Sequence, residues 1–126
     1  MVSILLVDDE LSILELYKMV LTSEGFKIEG MAKNGKEAVE LYKSSQNKPD
    51  VIIMDHRMPI MNGIEASKEI LKYDKDAKII FASADSTVKD QTVSIGVISF
   101  KEKPFKLEKL MDNIKKAVKS ATNSVY

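Results

Sequence analysis

The stretch Val2-Ser3-Ile4-Leu5-Leu6-Val7-Asp8-Asp9 is an apolar, β-branched run that breaks off into two acids. A run without polar alternation reads as a strand buried on both faces, as in a parallel sheet covered by helices. The same pattern recurs at Val51-Ile52-Ile53-Met54-Asp55, at Ile79 to Ala82 before Ser83, and at Val97 to Phe100 before Lys103. Phe26 to Met31 is a weaker version. Between these runs the apolar spacing changes from strand-like to helical.

Ile13, Leu16, Tyr17, Val20 and Leu21 are predicted to share one helix face, with Gly25 as the stop. Asn34 and Glu37 have capping-box spacing and open a helix whose buried side carries Ala38, Val39, Leu41 and Tyr42. Asn62 and Glu65 repeat that spacing ahead of Ile64, Ile70 and Leu71. Ser86 to Ile95 is a poor helix, ended by Gly96. Leu107, Leu110, Met111, Ile114 and Val118 mark the most amphipathic one. Five strand–helix units in this order predict an α/β fold: a doubly wound, five-stranded parallel sheet with five helices on its two faces.

A chain of 126 residues fits one domain, expected over residues 1–121, with a polar C-terminal tail at 122–126 and no output domain. There is no cysteine, which excludes a disulfide scaffold and thiolate chemistry. Net charge is zero, from 19 basic and 19 acidic residues, so nothing favours nucleic-acid binding. Arg57 is the single arginine. The first apolar run is too short for a signal peptide, and no stretch approaches a membrane span. The expectation is a soluble, cytoplasmic protein.

In such sheets ligands bind at the carboxyl ends of the strands, where the strand order reverses. The polar residues there are Asp8, Asp9, Asp55, Ser83 and Lys103. If the first and third strands are neighbours, the three carboxylates converge. Two carboxylates about 4 Å apart repel by roughly 4 kcal/mol at an effective dielectric of 20. Such a cluster persists by raising a pKa or by binding a cation. All-oxygen ligands suit magnesium. A lysine at this edge can pair with Asp55, and later with a phosphoryl oxygen. Ser83 can donate a hydrogen bond to the same oxygens.

Val7-Asp8-Asp9-Glu10, Asp55-His56-Arg57-Met58-Pro59-Ile60-Met61-Asn62-Gly63, Ser83-Ala84 and Lys103-Pro104-Phe105, in this order, resemble the receiver domain of two-component response regulators, including the stand-alone chemotaxis-regulator type. The resemblance covers essentially the whole chain. It implies a flavodoxin-like sheet of order 2-1-3-4-5. It implies that Asp55 accepts a phosphoryl group from a sensor histidine kinase, a phosphotransfer protein or a small donor such as acetyl phosphate. Asp9, Asp55 and the main-chain carbonyl of Arg57 would ligate Mg2+, with Asp8 acting through a water. Lys103, joined to Pro104 by a cis bond, would hold the phosphoryl group. Ser83 and Phe100 would be the switch pair, and the fourth helix, fifth strand and fifth helix the readout face. The chain would then be a phosphoacceptor switch and not an enzyme beyond its own phosphorylation and dephosphorylation. It would be a monomer or weak dimer, with a downstream target that the sequence does not name.

His56 stands where this family usually has an apolar residue and is expected to be half-buried packing. Lys101 likewise replaces an apolar residue, and Arg57 is placed to cover the site. Two other chemistries fit less well. A flavin carrier needs a phosphate-binding loop after the first strand, where Asp8-Asp9-Glu10 would repel phosphate. An aspartyl phosphatase commonly has a second acid two residues after the nucleophile, where this chain has Arg57. A receiver-like module that is never phosphorylated would have lost an acid, the acceptor or the lysine, and all are present.

Overall fold

The computed structural model describes residues 1–119; the expected tail at 122–126 lies outside the described residues. Strands β1 (Ser3–Val7), β2 (Lys27–Ala32), β3 (Val51–Met54), β4 (Ile79–Ser83) and β5 (Ser99–Glu102) alternate with helices α1 (Leu11–Ser23), α2 (Gly35–Ser44), α3 (Gly63–Tyr73), α4 (Lys89–Ile95) and α5 (Leu107–Lys119). A 3-10 turn, Ser86–Val88, precedes α4. The strands form one parallel sheet in the order β2-β1-β3-β4-β5, as expected.

Side chains of β1, β3 and β4 alternate between two cores, one on each face of the sheet. Ile4, Leu6, Ile53 and Ile80 meet Leu14, Tyr17 and Leu21 of α1 and Leu110, Ile114 and Ala117 of α5. Leu5, Val7, Ile52, Met54 and Phe81 meet Ala38, Val39 and Tyr42 of α2 and Ile64, Ala66 and Ile70 of α3. Both sides of these strands are therefore dry, which is why their sequences do not alternate.

Caps fix the helix starts. Asn62 accepts from the Glu65 N–H at 2.9 Å, and Glu65 accepts from the Asn62 N–H at 3.3 Å, a complete capping box. Asn34 accepts from the Glu37 N–H at 2.9 Å, but the Glu37 carboxylate accepts from the Lys33 N–H instead. Gly96 ends α4 with φ of 100°, a value that favours glycine.

Three details differ from the sequence reading. On α1 it is Leu14, with Tyr17 and Leu21, that is buried, while Leu16 is exposed. Leu41 of α2 is likewise exposed. The fifth strand starts at Ser99 rather than Val97, because the Val97 N–H is bonded to the Thr92 carbonyl and still belongs to the end of α4. Lys101 lies within β5 and is half-buried, which an edge strand tolerates.

Candidate phosphoryl and metal site

The ladder continues one residue beyond β1 and β3: Asp8 N–H donates to Ala32 and Asp55 N–H to Val7, each at 3.0 Å. These bonds hold the two acids side by side at the carboxyl edge of the sheet. Asp8, Asp9 and Asp55 each offer a carboxylate oxygen, all within 4.8 Å of one another. Asp8 is buried, Asp55 is 9 % exposed and Asp9 is open to solvent.

Lys103 reaches the cluster from the end of β5. Its Nζ donates to Asp8 Oδ2 at 2.8 Å and lies 3.7 Å from Asp55 Oδ1. The lysine expected to pair with Asp55 therefore bonds first to Asp8. The Lys103–Pro104 bond is cis. Burial lowers the affinity of the ammonium for its proton, but the bond to Asp8 and the charges of Asp55 and Asp8 outweigh it, and its pKa is raised. Asp55 goes the other way for a carboxylate: burial, then the neighbouring Asp8 charge, push it up to about 6 against the partial relief from Lys103.

Ser83 is buried at the end of β4, and its Oγ accepts from the Asp85 N–H at 3.0 Å. That leaves its own proton to donate. With Asp9, Asp55, Arg57 and Lys103 it lines a cavity of about 450 Å3. Arg57 is exposed and reaches across the cavity mouth to Asp85, 3.3 Å from its Oδ2. Asp85 in turn caps the 3-10 turn by accepting from the Thr87 N–H and hydroxyl. Phe100 is half-buried and stacks on Phe81, with centroids 6.1 Å apart.

Four of the five polar residues expected at strand ends, Asp9, Asp55, Ser83 and Lys103, thus line one cavity, and the fifth, Asp8, is buried beside them and bonded to Lys103. The donor set fits magnesium: three hard carboxylates, no thiolate or imidazole among the three, and the Lys103 ammonium bonded to one of them. Two contributors were given no role in the sequence reading. Asp85, with Thr87 two residues on, carries a readable cap signal, but its link to Arg57 spans 28 residues. Gly63 closes the loop after β3: its N–H donates to the His56 carbonyl at 2.9 Å, and a Cβ there would lie 2.1 Å from the Asp55 carbonyl oxygen.

Comparison with known proteins places the chain in a family and a fold. The family model described as the response regulator receiver domain matches residues 4–115. The chemotaxis protein CheY of Thermotoga maritima is 40 % identical over 118 residues, covering 92 % of this chain and 97 % of that protein. CheY of Bacillus subtilis is 39 % identical over 118 residues, covering 91 % of this chain and 96 % of that protein. Among solved structures, the CheX–CheY–BeF3–Mg2+ complex of Borrelia burgdorferi matches with a TM-score of 0.87 and 30 % identity, over 94 % of this chain and 90 % of that one. The response regulator TrrA of Thermotoga maritima in complex with Mg2+ and BeF matches with a TM-score of 0.84 and 39 % identity, over 93 % and 99 %.

Proposed function

Because the chain belongs to the response regulator receiver domain family, a family of signalling switches rather than classical enzymes, we propose that it is switched by phosphorylation of Asp55. The observation that carries this reading is the placement of Asp55 beside Asp8 and Asp9, 3.7 Å from the Lys103 ammonium and on the cavity that Ser83 also lines.

An Asp55 carboxylate oxygen attacks the phosphorus of a phosphohistidine on a kinase or phosphotransfer protein, or of a small acyl phosphate. The O–P bond forms as the P–N or P–O bond to the donor breaks, and the donor keeps the bonding pair. Lys103 offsets charge on the transferring oxygens and Ser83 donates to one of them. Asp9, Asp55 and the Arg57 carbonyl would hold magnesium, with Asp8 acting through a water, and the bound ion would supply charge neutralisation for the carboxylates and the phosphoryl oxygens. Magnesium and a beryllium fluoride in the Borrelia and Thermotoga structures support this assignment.

Once phosphorylated, Asp55 draws the Ser83 hydroxyl toward it, and Phe100 turns into the space released. This biases a two-state equilibrium read out on α4, β5 and α5. The short α4, with Val93 exposed, suits a movable element. Hydrolysis of the aspartyl phosphate at the same site resets the switch. No helix among the described residues is long and apolar enough to cross a membrane, which accords with work in the cytoplasm.

Incubation with acetyl phosphate and magnesium should add one phosphoryl mass to the wild type and none to Asp55→Asn. Equal labelling of the variant would remove Asp55 as the acceptor. The chain has no tryptophan, so mass rather than native tryptophan fluorescence is the readout.

A further inference from the structure

His56 follows Asp55 directly, is half-buried and offers no side-chain group to the acid cluster. Its Nδ1 is buried without a hydrogen-bond partner, so the ring is placed by packing rather than by polar contacts. What it packs on is Phe81, at 6.0 Å between centroids and 38° between planes. Phe81 is fully buried in the middle of β4 and stacks on Phe100 at 6.1 Å and 16°. Both separations fall within the range in which rings attract beyond simple burial. Three rings from β5, β4 and the loop after β3 therefore form one column. It starts at the residue bonded to Asp55 and ends at the switch aromatic.

The backbone of His56 is not free to absorb movement at Asp55. The Gly63 N–H holds the His56 carbonyl at 2.9 Å, and the Asp55 N–H is fixed to Val7. Displacement of the Asp55 side chain or its loop thus passes into the imidazole ring. Phe81, closed in on all sides, transmits it rather than yielding.

We infer that His56 is a positioning residue, which sets the Phe100 rotamer through Phe81 by a packing route separate from the Ser83 hydroxyl. This rests on the functional reading above, in which Phe100 is the switch aromatic. Any flat ring at position 56 should serve, whereas a methyl group should not.

The test follows Phe100 by NMR of the full chain carrying ring-labelled phenylalanine, before and after addition of beryllium fluoride and magnesium. Uptake is monitored separately from the 19F signal of bound fluoride. The wild type and His56→Phe should show the same shift in Phe100 rotamer ratio. His56→Ala and Phe81→Leu should take up fluoride equally but show a shift about fivefold smaller, as expected for losing one ring pair. A full Phe100 response in His56→Ala would overturn the inference. If that variant does not fold, a full response in Phe81→Leu overturns it equally. Failure of the wild type to take up beryllium fluoride would instead overturn the functional reading on which the inference stands.

Discussion

Lys103 bonds to Asp8, at 2.8 Å, and leaves Asp55 at 3.7 Å. The ammonium therefore neutralises the most buried acid of the cluster, and Asp55, the proposed acceptor, is left with the longer contact. Removing Lys103 would leave Asp8 charged, buried and next to Asp55. Lys103→Ala should destabilise the metal-free protein by about 2 kcal/mol, less than for a fully enclosed pair because the lysine is partly exposed. Urea unfolding in EDTA measures this. Magnesium should restore more stability to the variant than it adds to the wild type. An unchanged unfolding midpoint would show that the Lys103–Asp8 bond contributes nothing.

The raised pKa of Asp55 predicts how stability varies with pH in the absence of metal. Below its ordinary value of 3.8 the carboxyl is protonated whether the chain is folded or not. Between 3.8 and about 6 the folded protein keeps the proton and the unfolded chain loses it. The contribution of Asp55 to stability is thus fully present in acid and is lost as pH rises through about 6, a loss of about 3 kcal/mol. Asp55→Asn should flatten this part of the profile and be the more stable protein at pH 7.5 in EDTA. Parallel pH profiles for the two proteins would contradict the shift.

The Arg57–Asp85 pair crosses the mouth of the cavity on the solvent side. With Arg57 in solvent, such a pair adds little to the stability of the fold. On the proposed function, its consequence would lie in access of water to the aspartyl phosphate. Arg57→Ala should leave the urea midpoint nearly unchanged and shorten the phosphoryl lifetime several-fold, measured by loss of the phosphoryl mass after the donor is removed. A lifetime equal to that of the wild type would exclude Arg57 as a cover.

Ile60 is a β-branched residue with φ of 69°, and it is 77 % exposed. Its side chain gains little from burial and its backbone occupies a region that suits glycine. Ile60→Gly should stabilise the protein by roughly 0.5–1 kcal/mol, the relief of strain being partly offset by the greater freedom of glycine in the unfolded chain. A rise in the urea midpoint at constant slope is the expected result; a fall would mean that Ile60 makes contacts worth more than the strain.

Much of this architecture can be read from local pattern. Val2 to Val7 and Val51 to Met54 are apolar on every residue but Ser3, which only a strand covered on both faces requires. The acids that end them mark the functional edge without any knowledge of pairing. Capping pairs such as Asn62 and Glu65 lie three residues apart, so short-range geometry determines them. The shift of the fifth strand to Ser99 was not legible, because Val97 is equally apolar as the last residue of a helix cap or the first of a strand.

The pairings across the cavity are a different kind of fact. Lys103 and Asp8 are 95 residues apart and Arg57 and Asp85 are 28 apart. No spacing rule connects them. Hydrophobic periodicity is a property of neighbouring residues and survives in the linear text. Which acid receives the lysine, and which rings stack between His56 and Phe100, depends on distances that exist only after the sheet has brought its strand ends together.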